Sequence, residues 1–136
     1  MGHQTLIYGA IEVHPSSPLR PEPDARTARA LDALPEVDDW PFLVRSMFSL
    51  TASEQVTVAY HYRVIHFGAS LKAVEWDWAE WLAKFEQLLS GLDGMTATMH
   101  LRTELVGDHT YEWLRTNDEP GLWPPVWAFQ GGMRSF

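Results

Sequence analysis

Residues 74–92, VEWDWAEWLAKFEQLLSGL, contain the strongest structural signal in the chain. Apolar residues recur there every three or four positions, which is the period of an amphipathic α-helix. Glu80 and Lys84 are ordered for an ion pair across one helical turn, and Gly91 suits the end of a helix. The segment therefore predicts a helix with one broad buried face, made of Val74, Trp78, Trp81, Leu82, Phe85, Leu88, Leu89 and Leu92.

Strand patterns lie on both sides of this helix. Residues 95–105 alternate apolar and polar side chains, and residues 55–67 are rich in β-branched and aromatic side chains. A shorter helix is predicted to begin after Asp24 and to end before Pro35. Its predicted apolar residues are Ala25, Ala28, Leu31 and Leu34. Further strands are predicted at residues 4–13, 42–50 and 109–116, with tight turns before some of them.

The resulting order βαββαββ predicts an α+β fold. We expect a mainly antiparallel sheet of four to five strands with two helices on one face, the split βαβ arrangement with an added strand. A length of 136 residues suits a single domain. Residues 117–136, rich in Pro, Gly and Trp, are expected to pack back on that domain, with a short strand at residues 126–129.

Composition and charge narrow the classes of function. Eighteen acidic and ten basic residues give a formal net charge of −8, which disfavours nucleic acid and anionic membranes as partners. The absence of cysteine excludes thiolate nucleophiles and suits a reducing compartment. No signal peptide or membrane span is apparent, so we expect a cytoplasmic protein. The sequence shows no recognisable catalytic motif, and we predict no metal ion and no cofactor.

Two clusters combine acidic residues with tryptophan. The first is an acidic turn and the second is the predicted polar face of the long helix. An exposed tryptophan among acidic residues is costly unless another surface covers it. For Trp76 that cover is either the tail of the chain or a protein partner. The candidate partner-binding residues are Glu36, Asp38, Asp39 and Trp40 in the turn, and Glu75, Trp76, Asp77 and Glu80 in the helix.

A second type of site is suggested by two polar segments. Residues 66–72 are interpreted as a strand end, a glycine turn and a helix start, where free backbone N–H groups often bind anions. Residues 100–104 place a histidine, an arginine and a glutamate on one face of a strand, a set that suits carboxylate binding or acid–base chemistry. Solvated turn residues and cross-strand ion pairs are the alternative explanation. The candidate ligand residues are His66, Ser70, Lys72, His100, Arg102 and Glu104.

Five segments together resemble a family of small bacterial proteins that we associate with immunity to polymorphic or contact-dependent toxins. They are YGAI at residues 8–11, LVRSMF at 43–48, HFGASLK at 66–72, WLAKFE at 81–86 and HLRTE at 100–104. The resemblance implies a cytoplasmic protein that binds one cognate toxin domain and blocks it. It implies no catalytic residues.

The sequence leaves three hypotheses open. The first is a non-enzymatic, immunity-type binding protein that presents acidic and aromatic groups to a toxin domain. The second is a small enzyme or a domain that binds an anion or another ligand through residues 66–72 and 100–104. The third is a homo-oligomer, such as a homodimer, that assembles through the aromatic tail.

Overall fold

A computed structural model describes residues 3–51, 62–117 and 122–136. Within these ranges one antiparallel sheet has the strand order β2-β3-β1-β4-β5-β6. The α+β prediction is confirmed, with six strands instead of four or five. The elements are β1 (Gln4–Val13), α1 (Glu22–Asp32), β2 (Phe48–Leu50), β3 (Arg63–Lys72), α2 (Trp78–Ser90), β4 (Gly94–Arg102), β5 (Asp108–Arg115) and β6 (Trp127–Gly131).

The order β2-β3-β1-β4, with a helix before β2 and another before β4, is the split βαβ connectivity. A hairpin then adds β5 beside β4, and the tail adds β6 beside β5. The predicted short strand of the tail is therefore present, one residue later than expected at its start. None of the described helices combines the length and the apolar character needed to cross a membrane.

One face of the sheet is buried beneath the two helices. Trp78 and Trp81 of α2 stack with ring centroids 5.2 Å apart, and Phe85 continues the stack at 5.6 Å from Trp81. Phe85 in turn contacts Trp113 of β5 at 5.0 Å. The prediction that Trp78 and Trp81 belong to the core is confirmed, since each is 1% exposed. Full burial of a side chain such as Phe85 stabilises the fold by about 1.5–3 kcal/mol.

The opposite face of the sheet carries polar and half-exposed side chains. Alternation along β1 places Ile7 and Ile11 in the core and Tyr8, 40% exposed, on the other side. His66 of β3 and His100 of β4 share the face of Tyr8, because Tyr8 is paired with His100 and Ala10 is paired with His66. This open face contains many of the residues that the sequence proposed for ligand binding.

Several predicted boundaries differ from the structure. Helix α1 begins at Glu22 and buries Pro23, Thr27 and Leu31, whereas the predicted core residues Ala25 and Ala28 are exposed. Of the strand predicted at 42–50, residues 48–50 form a strand, after a 3-10 turn at Arg45–Met47. For the strand predicted at 55–67, residues 55–61 lie outside the described ranges.

The C-terminal tail is held by a buried ion pair. The Arg115 guanidinium donates to Asp93 Oδ1 at 2.6 Å and to the carbonyl oxygen of Leu122 at 2.6 Å. Trp127 then donates from Nε1 to the Leu89 carbonyl of α2 at 3.0 Å. Gly94 makes room for that indole, since a Cβ atom at Gly94 would lie 2.9 Å from the Trp127 ring. The tail thus becomes part of the packed structure.

Candidate functional site

The loop of residues 35–44, here called the anchored loop, follows α1 and is fastened to α2. The Lys84 ammonium has three donors, and the structure gives it three acceptors in this loop. They are Asp38 Oδ2 at 2.8 Å, the Pro41 carbonyl at 2.8 Å and the Asp39 carbonyl at 3.0 Å. The hydrogen bond from Lys84 also holds the pKa of Asp38 below its ordinary value. A single lysine therefore defines much of the path of the loop.

Two indole groups complete this attachment. Trp81 donates from Nε1 to the Phe42 carbonyl at 2.8 Å, and Trp40 donates from Nε1 to Asp77 Oδ2 at 2.6 Å. The Trp40 ring meets Phe42 edge-on, with centroids 5.0 Å apart. Because Asp77 belongs to the second acidic cluster, the contact from Trp40 brings the two predicted clusters together. They form one continuous surface.

We call this region the acidic–aromatic surface; its members are Glu36, Asp39, Trp40, Phe42, Trp76, Asp77 and Glu80. Its rings are exposed to solvent: Trp40 by 38%, Phe42 by 39% and Trp76 by 52%. Among the described residues, no ion pair neutralises any of its four carboxylates. Large exposed aromatic rings that lie close together are typical of a surface that binds a partner.

Two of the predicted partner-binding residues have internal roles instead. Glu75 was expected on the exposed helix face, but it is fully buried and accepts a hydrogen bond from Thr5 Oγ1. The reason is that residues Val74–Asp77 form a 3-10 turn, so α2 and its regular period begin only at Trp78. Asp38 is occupied by Lys84 and by the backbone N–H of Leu43 at 3.1 Å. Both carboxylates hold the structure that presents the surface.

Trp76 is 52% exposed, so the described part of the tail does not cover this ring completely. The 3-10 turn points Val74 and Glu75 inward and Trp76 outward. The exposed half of the indole therefore belongs to the solvent-facing surface beside Asp77.

An apolar groove of about 420 Å³ runs between the anchored loop and β3, and we call it the edge groove. Its apolar lining residues are Val37, Phe42, Val44, Met47, Ala69 and Leu71. Glu36 lies at the same groove, which joins it to the acidic–aromatic surface through Phe42. A volume of this size is in the range of sites that accept side chains or small ligands. No sequence pattern predicts this groove, because it forms between segments far apart in the chain.

The predicted ligand residues lie at two places on the open face of the sheet. His66 and His100 line a recess of about 380 Å³ with Tyr8 and Thr98. His100 Nδ1 lies 3.1 Å from the Thr110 hydroxyl, and its ring lies 5.0 Å from the Tyr8 ring. The two segments that the sequence singled out are thus brought to the same face, on either side of β1.

The other four ligand candidates lie toward the end of the sheet where β1 begins. Ser70 accepts a hydrogen bond from Gln4 at 2.8 Å, and Glu104 Oε2 lies 3.0 Å from His3 Nδ1. Arg102 is 3.9 Å from Asp108, with both side chains exposed, and Lys72 is exposed at the end of β3. Gln4 links two of these groups, because its backbone N–H also donates to Glu104 Oε2 at 3.2 Å, and Arg102, Glu104 and Asp108 line one pocket of about 230 Å³. Among the described residues no group of three side chains is placed to hold a metal ion.

The interpretation of residues 66–72 as a turn before a helix is wrong. These residues continue β3, because β1 pairs with them as far as Gln4 opposite Lys72. Gly68 lies opposite Tyr8 in this ladder, and β3 continues past it to Lys72. No helix therefore begins at Ser70. The helix N-terminus on which the predicted anion site rested is not present there.

Comparisons with protein-family models, characterised proteins and solved structures found no match. Function must therefore be inferred from the chemistry of these surfaces.

Proposed function

We propose that this chain is a binding protein that takes a basic surface of a partner protein onto its acidic–aromatic surface. The resemblance to immunity proteins makes a bacterial toxin domain the proposed partner, neutralised by occlusion. One observation carries the proposal: the hydrogen bond from Trp40 to Asp77 joins two acidic clusters and their exposed rings into one surface.

The construction of this surface favours tight binding. Exposed tryptophans are among the residues that contribute most to protein–protein affinity when a partner covers them. The bonds from Lys84 and Trp81 hold the anchored loop in place before binding, so little conformational entropy is lost on association. A preorganised surface with exposed indoles suits a specific partner better than a transient encounter.

The charge of the chain supports a basic partner. A net charge of −8 attracts a positively charged protein and raises its association rate at low salt. A toxin that acts on nucleic acid needs a basic face for the phosphate backbone. An acidic protein seated on that face excludes the substrate by both volume and charge.

Co-expression with the protein encoded beside this chain tests the proposal. We expect the two to co-purify, and cells to survive expression of the toxin when the chain is present. Trp76→Ala should weaken the complex by at least about tenfold, as loss of a central aromatic contact does. Trp123→Ala is the matched control, because that ring is similarly exposed, at 39%, and lies outside the surface.

Three variants, Trp76→Ala, Trp40→Ala and Trp123→Ala, separate the possible outcomes. Unchanged affinity and unchanged protection with Trp76→Ala and Trp40→Ala would contradict the proposed surface. Equal loss of affinity with Trp123→Ala would also contradict it, because binding would then depend on a different part of the molecule.

A further inference from the structure

Strand β3 extends beyond its neighbour β2. The two strands pair only where Phe48 to Leu50 lie opposite Phe67 to Ile65. On its other side β3 is paired with β1 all the way to Lys72. Residues 68–72 therefore have a strand on one side, and no strand of the described residues on the other.

The direction of the backbone groups along this free edge follows from the ladder. In an antiparallel strand the N–H and C=O of one residue point to the same side, and those of the next residue point to the opposite side. The Thr51 N–H donates to the Val64 carbonyl at 3.1 Å, so Val64 points toward the side of β2. The Ala73 N–H donates to the His3 carbonyl of the opposite side at 2.7 Å. The residues that point to the side of β2 beyond its end are Gly68, Ser70 and Lys72.

These free groups border the edge groove. Ala69 and Leu71 contribute to its apolar wall from β3, while Val37 and Phe42 contribute from the anchored loop. A row of unpaired backbone groups beside apolar pockets is the arrangement by which sheets accept an added strand. Alternate side chains of that strand would enter the groove, and the intervening ones would point away from it.

We propose that the edge of β3 at residues 68–72 receives an extended segment of the partner protein as an additional strand. This inference rests on the proposed function, since it names the way in which the same partner docks. The segment has apolar side chains at alternate positions and a lysine or arginine that reaches Glu36 at the groove. Backbone hydrogen bonds to Gly68, Ser70 and Lys72 hold the segment in register.

The groove favours a single strand over a second copy of this chain. The anchored loop lines it with Val37 and Phe42, and the 3-10 turn before β2 lines it with Ser46 and Met47. A single added strand lies only about 4.8 Å from β3, whereas a second copy would bring a whole sheet edge with its flanking helices against these residues. A second copy is therefore the outcome that the test must separate from a partner peptide.

Amide hydrogen exchange on the free protein tests the first step. We expect the amides of Gly68, Ser70 and Lys72 to exchange rapidly, while those of Ala69 and Leu71 are protected by their bonds to β1. Equal protection of both sets would overturn the proposal, because the edge would then be occupied. Concentration-dependent protection together with a dimer mass in solution would assign the edge to a second copy and overturn it as well.

Short random peptides displayed on phage provide the probe for the second step. We expect selection on this protein to enrich sequences with alternating apolar residues and a basic residue. Synthetic peptides made from them should protect the amides of Gly68, Ser70 and Lys72. Failure to enrich any such peptide, or peptides that shift amides elsewhere only, would overturn the proposal.

Ser70→Pro removes one outward N–H while it leaves the ladder with β1 intact, because proline is tolerated on a strand edge. We expect selected peptides to bind this variant at least about tenfold more weakly. Ser70→Ala is the matched control, since it removes only the hydroxyl that Gln4 contacts, and it should bind normally. The amide protection measured on the unaltered protein decides the matter if Ser70→Pro does not fold.

The two proposals fail in different ways. Suppose that Trp76→Ala weakens the toxin complex, whereas Ser70→Pro changes neither the affinity for the toxin nor the affinity for the selected peptides. Strand addition is then wrong, and the acidic–aromatic surface remains the proposed binding site. If Ser70→Pro weakens both while Trp76→Ala changes nothing, the edge is the docking site and the proposed surface is wrong.

Discussion

The anchored loop and the tail of residues 122–136 have similar compositions but differ in how deeply they are attached to the fold. Both are rich in proline and large aromatic residues, and each is fastened by one cation. Lys84 holds the loop with its side chain 34% exposed, whereas Arg115 holds the tail with its side chain 2% exposed. Trp127 and Phe129 of the tail pack against the core, whereas Trp40 and Phe42 of the loop are more than a third exposed. Composition alone therefore does not decide whether an aromatic side chain packs on the fold or faces solvent.

Removal of the buried cation should have the largest effect. Arg115→Leu leaves the Asp93 carboxylate, 1% exposed, with Arg26 as its one remaining ion-pair partner among the described residues, and it frees the start of the tail. We expect the free energy of unfolding to fall by about 3–5 kcal/mol, measured by urea denaturation. Arg102→Leu is the control, because its ion pair with Asp108 is exposed and should be worth at most about 1 kcal/mol. Equal losses of unfolding free energy in both variants would mean that the buried ion pair of Arg115 stabilises the fold no more than an exposed one.

Truncation of one tryptophan in each region compares the two regions directly. Trp127→Ala removes an indole that packs at Gly94 and donates to Leu89, so we expect a loss of about 2–4 kcal/mol. Trp40→Ala removes a more exposed ring, and we expect less than about 1 kcal/mol. Both values can be read from thermal unfolding. A larger loss for Trp40→Ala would mean that the loop contributes to the core of the fold.

Lys84→Met should change the loop more than the fold. The variant keeps much of the side-chain volume and loses the three bonds to the loop, so we expect about 1 kcal/mol of global destabilisation. Affinity for the partner should fall more steeply, because the loop must then be ordered on binding. Calorimetric titration measures the affinity, with Arg102→Met as a control of equal charge change, because Arg102 is exposed and lies outside both proposed binding surfaces. Unchanged affinity for Lys84→Met would show that preorganisation contributes nothing.

Acid should loosen the loop by a smaller amount. The hydrogen bond from Lys84 lowers the pKa of Asp38 from its ordinary value of 3.8. A carboxyl group with a lowered pKa in the folded state stabilises that state above the ordinary value, and the stabilisation disappears as the pH falls through the lowered value. The amide shift of Leu43, which donates to Asp38, should report this transition. In Lys84→Met the transition should move up toward the ordinary value.

The predictions from sequence succeeded where one local pattern determined the structure. The period of α2 placed Trp78, Trp81 and Phe85 in the core, and the alternation in β4 placed Ala97 and Met99 there. They failed at Glu75, where a 3-10 turn changes the residue period just before the helix. They failed again at residues 68–72, where the ladder with β1 keeps a glycine-containing segment extended. In both cases contacts with Thr5 or its neighbours in β1 outweighed the local preference.

The sequence by itself determined the α+β class, the amphipathic face of α2 and the acidic character of the molecule, because these depend on local periodicity and on composition. Only the tertiary structure decided which charges remain available. Asp38 is paired with Lys84 and Glu75 is buried, so neither carboxylate is available to a partner. The hydrogen bond from Trp40 to Asp77 joins the acidic residues that remain exposed. The edge groove likewise exists only because the anchored loop and β3, distant in sequence, are brought side by side by their separate attachments to α2 and β1.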